Sequence, residues 1–135
     1  MAFEWLNEYS VGHEQLDEQH KLIFSVVDKF EIALYSGEAK SKVKIVIDFL
    51  SDYIDEHFKL EESLMVSCGY RDYEVHKKMH EQFIINYVDL KKEFYNKGAT
   101  EYFIIRVDRE LRNWWKNHIM VEDRKYSACV RNSIK

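Results

Sequence analysis

Five of the six histidines in this chain, His20, His57, His76, His80 and His118, recur with Glu61 on stripes otherwise built from apolar side chains. Imidazole and carboxylate groups facing a hydrophobic core need a partner, because an isolated buried charge is costly. A bound cation is one such partner; the ordinary alternative is a set of core histidines satisfied by hydrogen bonds. His57 and Glu61 are spaced i, i+4, as are His76 and His80, so each pair can converge on one point from a single helical face. Mixed imidazole and carboxylate donors suit iron, zinc, copper or nickel, whereas calcium and magnesium prefer oxygen shells. With Asp123 the set has seven side chains, too many for one tetrahedral zinc. Two octahedral metals fit better. Five imidazoles give five donor atoms, and two bridging carboxylates give four more. With an oxygen bridge shared by both metals, one position stays open for a small ligand.

The elements that must position these groups are helices. Segment A carries Leu16, His20, Ile23, Val27, Phe30 and Leu34; segment B carries Val43, Ile47, Leu50, Ile54, His57, Glu61 and Leu64. Segment C carries Tyr73, His76, His80, Phe83, Tyr87, Leu90 and Phe94; segment D carries Ile104, Val107, Leu111, Trp114 and His118. Steps of three and four mark a helix with one buried face, and strand alternation is absent. The chain has no proline, and Gly12, Gly37, Gly69 and Gly98 supply helix stops. The expected fold is all-α: an up-down-up-down four-helix bundle forming one domain over 1–135, with an arm to about residue 12 and helices near 13–36, 40–67, 72–97 and 100–120 plus a C-terminal segment. Phe3, Trp5, Leu6, Tyr9 and Val11 in the arm are not helically spaced and are expected to strap across the bundle.

Distance from the turns decides whether the candidates meet. His20 precedes Gly37 by 17 residues and His57 follows it by 20; His80 precedes Gly98 by 18 and His118 follows it by 20. In an antiparallel bundle all five histidines therefore fall in one layer. Asp123 is the difficulty. It follows His118 by five residues, about 140° out of alignment on an ideal helix. Either the helix is distorted there, or Glu122 at i+4 competes for the role.

Net charge is -4, which disfavours a general nucleic-acid role. Hydrophobic residues make up 46% and charged residues 33%, the balance of a folded domain rather than a disordered one. No run reaches the roughly 18 apolar residues of a membrane span. The first residues lack the pattern of an export signal, so a cytoplasmic location is expected. Cys68 and Cys129 are expected to be free thiols.

The chain resembles the hemerythrins, in particular their single-domain bacterial members. The resemblance runs over nearly the whole length. It rests on Val11-Gly12 and Asp17-Glu18-Gln19-His20-Lys21, on His57-Phe58-Lys59-Leu60-Glu61-Glu62 with Met65, and on Gly69-Tyr70. It continues with His76-Lys77-Lys78-Met79-His80 and Trp114-Trp115-Lys116-Asn117-His118-Ile119 through Asp123. The resemblance implies two non-haem iron ions with an oxo or hydroxo bridge. His76, His80 and His118 would hold one, His20 and His57 the other, with Glu61 and Asp123 bridging. The open position would lie on the iron with two histidines and take dioxygen reversibly, or small anions such as azide. The implied role is oxygen storage, delivery or sensing. The competing roles are a di-iron enzyme acting on peroxide or nitric oxide, and iron handling. Ferritin-like di-iron enzymes pair four carboxylates with Glu-x-x-His motifs. No histidine here has a glutamate three residues before it, which favours binding over oxygenation.

Ile23, Phe58, Trp114, Trp115 and Ile119 are the candidates for an apolar wall over the open position. Trp115 departs from the resemblance, since the family commonly has leucine there, and a larger indole is expected to narrow ligand access. Arg71 stands where the family often has proline. Asp17 is expected at a helix start or orienting a ring, and Tyr126 is a candidate to approach the site. Glu56, Glu62 and Glu122 are expected in solvent, and His13 outside the ligand set.

Overall fold

Four long helical runs are present in the computed structural model, which describes residues 5–134; there is no strand among them. Helix α1 spans Glu14–Ser36, α2 Ala39–Cys68 and α3 Tyr73–Lys97. The fourth run, 101–134, is continuous but changes its winding. It passes from α4 (Glu101–Arg106) through a π-helical stretch (Val107–Arg112) into α5 (Asn113–Asn117). A second π-helical stretch (His118–Glu122) and a 3-10 turn (Asp123–Tyr126) then lead into α6 (Ser127–Ile134). α1 packs on α2, α2 on α3 and α3 on the fourth run, which closes back onto α1. That is the cyclic neighbour order of an up-down-up-down bundle. No described helix is long and apolar enough to cross a membrane.

The helix ends follow from local chemistry. Gly37 and Gly69 terminate α1 and α2 in the left-handed region, with φ of 79° and 74°. There the Glu38 N–H reaches the Ala33 carbonyl at 2.8 Å and the Tyr70 N–H reaches the Met65 carbonyl at 2.9 Å, which ties off the last carbonyls. At the other end of α1, His13 Nδ1 accepts the Leu16 N–H at 3.3 Å. His13 is thus a half-buried helix cap. The Thr100 hydroxyl caps α4 by accepting the Phe103 N–H at 3.0 Å.

Trp5 and Tyr9 both pack on Phe24 of α1, with ring centroids 5.3 and 5.6 Å away, and Val11 is fully buried, so this part of the arm does strap across the bundle. Leu6 is largely exposed, and Phe3 lies outside the described residues. Asp17 fixes the arm to α1: one carboxylate oxygen accepts the Ser10 hydroxyl at 2.6 Å and the other accepts the Val11 N–H at 2.8 Å. Asp17 therefore serves the arm and binds neither ring nor metal layer. Gly12 has φ of 78°, and a Cβ there would collide with the Arg131 side chain, whose guanidinium donates to the Ser10 carbonyl at 2.9 Å. Gly12→Ala is expected to cost about 1 kcal/mol or more, since an L side chain is strained in the left-handed region. Chemical denaturation measures it; an unchanged midpoint would mean that the arm is not held.

The core is divided. A large apolar body runs from Ile23, Phe24 and Phe30 through Ile47, Leu50, Phe58 and Phe83 to Leu111, Trp115 and Ile119. A smaller one, Val11, Leu16, Met65, Tyr126 and Val130, closes the opposite end. Between them lies a polar layer, because each helix switches residue type at the same height. His20 sits between Leu16 and Ile23, Glu61 between Phe58 and Met65, and His118 and Asp123 between Trp115 and Tyr126.

Cys68 and Cys129 form a disulfide that joins the end of α2 to α6, with Cα atoms 5.7 Å apart. This corrects the expectation of free thiols. Two cysteines 61 residues apart carry no pairing signal in sequence; they meet because the end of the fourth run, α6, packs on α2.

Candidate metal centre

His20, His57, His76, His80, His118, Glu61 and Asp123 are all 0–3% exposed, so the polar layer is closed to solvent. Their ligand-capable atoms form two groups. His76, His80 and His118 make one, His20 and His57 the other, and both groups include Glu61 and Asp123. The carboxylates divide their oxygens between the groups. Glu61 Oε2 lies 2.9 Å from His20 Nε2 and 3.1 Å from His57 Nε2, while Oε1 lies 3.0 Å from His80 Nε2 and 3.2 Å from His76 Nε2. Asp123 Oδ2 lies 3.0 Å from His20 Nε2, and Oδ1 lies 3.0 and 3.1 Å from His118 and His76 Nε2. A carboxylate that offers one oxygen to each side is built to bridge two centres.

The five-residue step from His118 to Asp123 is resolved by the backbone. The second π-helical stretch lets the Asp123 N–H donate to the His118 carbonyl, an i to i−5 bond. One extra residue per turn rotates Asp123 onto the His118 face, as π-bulges at functional sites do. Glu122 is left outside, and its carboxylate pairs with Lys125 at 3.1 Å.

Several inward atoms are close without being hydrogen-bonded. Both Asp123 oxygens and His57 Nε2 are buried with no hydrogen-bond partner, although nitrogen–oxygen separations are 3.0–3.1 Å. Other contacts are hydrogen bonds: His20 and His76 to Glu61 at 2.9 and 3.2 Å, and His80 to His118 through their Nε2 atoms at 3.0 Å. Such a set is only partly paired and is gathered around shared points. The energetics agree. Burying an ion costs on the order of several kcal/mol, more than the roughly 1.5–3 kcal/mol returned by one large apolar side chain. A layer of this kind is a net cost unless a cation offsets it. The donors, all imidazole nitrogen and carboxylate oxygen, fit a pair of transition-metal ions.

The outer edges of two rings are fixed. His57 Nδ1–H donates to Gln19 Oε1 at 2.7 Å and His80 Nδ1–H donates to Glu62 Oε2 at 2.8 Å. Each bond sets the tautomer that leaves the Nε2 lone pair pointing inward. Gln19 carries no signal of this role in the sequence, and Glu62, expected in solvent, is part-buried against His80. Their partners lie 38 and 18 residues away on other helices, so no spacing within one helix reveals them. Tyr126 does approach the layer: it is fully buried with its ring 5.6 Å from that of His76.

The wall candidates divide by position. Phe58 stacks on His80 at 3.8 Å and Trp114 on His118 at 4.4 Å, which braces the three-histidine group. Trp115 lies 5.9 Å from His57, with Phe58 stacked on it at 5.5 Å. Ile23 and Ile119 are buried in the large apolar body.

Protons balance the metal-free layer. Burial alone would lower the His20 and His76 imidazoles, but the adjoining Asp123 and Glu61 carboxylates overturn that and raise them to about 10 and about 9. His57 is lowered, because burial outweighs its Glu61 contact. Burial pushes the Glu61 and Asp123 carboxyls up, yet the surrounding imidazoles hold both below the usual range. The sign follows. His20 and His76 are raised from 6.5, so their contribution is full below that pH and lost as pH rises through about 9 to 10. Metal-free protein is expected to lose thermal stability over that alkaline window, and metal-loaded protein is not. Melting curves of both forms at mildly acidic and alkaline pH test this; a flat metal-free profile would contradict the proton balance.

The sequence profile described as "Hemerythrin HHE cation binding domain" matches residues 11–130. The chain belongs to the hemerythrin family. Relatives extend the match. Bacteriohemerythrin of Methylococcus capsulatus is 36% identical, over 84% of this chain and 85% of the relative. Bacteriohemerythrin of Pseudomonas aeruginosa is 32% identical, over 96% and 82%. The hemerythrin-like protein of Naegleria gruberi is 30% identical, over 95% and 93%. A crystal structure of a hemerythrin point mutant superposes with a TM-score of 0.77, at 32% identity, covering 97% of this chain and 99% of the other. The hemerythrin fold thus accounts for the bundle and for the metal-capable layer within it.

Proposed function

We propose that this chain binds dioxygen reversibly at a non-haem di-iron centre, for storage, delivery or sensing, and that it is a binding protein rather than an enzyme. The observation that carries the reading is the division of the Glu61 and Asp123 oxygens between a three-histidine and a two-histidine group. His76, His80 and His118 would hold one iron and His20 and His57 the other, with both carboxylates bridging. The iron pair, when bound, supplies the electrons that make dioxygen binding possible. Everything else falls to the chain. The unequal histidine count leaves room for a ligand on the His20 and His57 half. Gln19 and Glu62 hold two rings in the ligating tautomer. The apolar bodies above and below exclude water, which slows loss of electrons from the pair.

We take the 1–135 chain as one domain and assign it to the cytoplasm. The Cys68–Cys129 disulfide would there be exposed to thiol buffers that can reopen it. Dioxygen and small anions such as azide are the ligands expected.

The deciding experiment is anaerobic reduction of iron-loaded protein, exposure to air, then return to vacuum, with visible spectra throughout. A charge-transfer band that appears with air and vanishes under vacuum supports reversible binding. Immediate conversion to an oxidised spectrum with no reversible adduct overturns it, and catalytic consumption of peroxide or nitric oxide would replace it with the enzyme reading.

A further inference from the structure

Trp115 is fully buried, and its indole Nε1–H has no hydrogen-bond partner. A buried tryptophan N–H usually finds an acceptor, because leaving the donor unmet forfeits its hydration for nothing. The ring is wedged among Phe58, Phe83 and Trp114, with centroids 5.5, 5.3 and 5.1 Å away, so the indole is held by packing. Its ring centroid lies 5.9 Å from that of His57 and 6.4 Å from that of His118, so the indole borders the histidine layer. An indole N–H is a donor only and cannot ligate a cation. An anionic ligand arriving beside the histidine layer would supply the missing acceptor.

We propose that Trp115 Nε1–H is the hydrogen-bond donor to the small ligand bound on the His20 and His57 half of the layer, so that this chain selects ligands whose outer atom bears negative charge. The inference rests on the di-iron reading above and adds a residue to it. The family commonly carries leucine at this position, and an aliphatic side chain can only shape the chamber. The indole shapes it and also supplies a directed dipole in a site closed to water, where such a contact is strong. Azide and dioxygen that has drawn electron density from the metals are ligands of this class. Carbon monoxide, with little charge on its outer atom, is outside it.

Two substitutions separate the donor from the bulk. Trp115→Phe keeps an aromatic ring and removes the N–H; Trp115→Leu removes both. Iron-loaded wild type and variants are titrated with azide, and association and dissociation are followed by stopped flow. Trp115→Phe is expected to weaken azide about tenfold, or about 1.4 kcal/mol, chiefly through faster dissociation. Trp115→Leu is expected to associate faster than wild type, since the indole also narrows access. The infrared stretch of bound azide is expected to shift on transfer to deuterated water in wild type and not in Trp115→Phe. Metal-free Trp115→Phe is expected to melt lower than wild type, because the smaller ring leaves a void among Phe58, Phe83 and Trp114, so azide is titrated at a temperature where both proteins are folded. Equal azide affinity and equal deuterium sensitivity in wild type and Trp115→Phe would overturn the donor role alone. Wild type that takes up no iron pair would overturn the di-iron reading and this inference with it.

Discussion

Glu61→Ala is expected to abolish the metal pair rather than weaken one half of it. Glu61 touches four of the five layer histidines within 3.2 Å and splits its two oxygens between the groups. Its loss removes a donor from both sites at once. It also leaves Asp123 as the sole anion facing five imidazoles, so two cations in the layer lose half of their compensating charge. The affinity loss should exceed the roughly 10–100-fold that follows from losing an outer partner of a ligand. Metal content after loading with excess ferrous iron checks this. His20→Ala is the contrast: it leaves the three-histidine group with both carboxylates, so one iron should remain. Glu61→Ala protein that still takes up a tightly held pair would mean that the bridge lies elsewhere.

Opening the Cys68–Cys129 bond is expected to cost about 4 kcal/mol of stability. The bond closes a loop with a sequence separation of 61, and the chain-entropy argument gives that magnitude for a loop of this size. For a domain of this length the melting temperature should fall by roughly 10 °C or more. Packing localises the effect. α6 lies on α2, where Val130 and Tyr126 complete the smaller apolar body with Met65, Leu16 and Val11. Without the bond, the end of the fourth run is held by that contact and by the Arg131 hydrogen bond to the arm. Cys129→Ser, or wild type under a thiol reductant, should show the lower melting temperature and faster amide exchange in α6. Identical curves with and without reductant would show that the bond contributes nothing to holding α6.

Much of this protein was legible in its sequence because helical periodicity is a local property. The three- and four-residue steps of Leu16, His20, Ile23 and Val27 fix a buried face whatever the neighbours are. Gly37 and Gly69 fix where the first two helices end, because only glycine takes the left-handed conformation there without strain. Similar distances from the turns at Gly37 and Gly98 then bring the histidines of the paired helices to one height. Tertiary structure decided what depends on pairs far apart in the chain or on departures from ideal winding. The π-helical stretch at His118–Glu122 chose Asp123 over Glu122, since an i to i−5 backbone bond rotates the following residue in a way no α-helical count predicts. Gln19 and Glu62 became ring partners because α2 carries His57 past α1 and α3 carries His80 past α2. Cys68 and Cys129 met because α6, at the end of the fourth run, packs on α2. The unmet indole N–H of Trp115 exists only once three neighbouring aromatic rings have closed around it, so it is a property of the packed interior and not of the spacing that put Trp115 there.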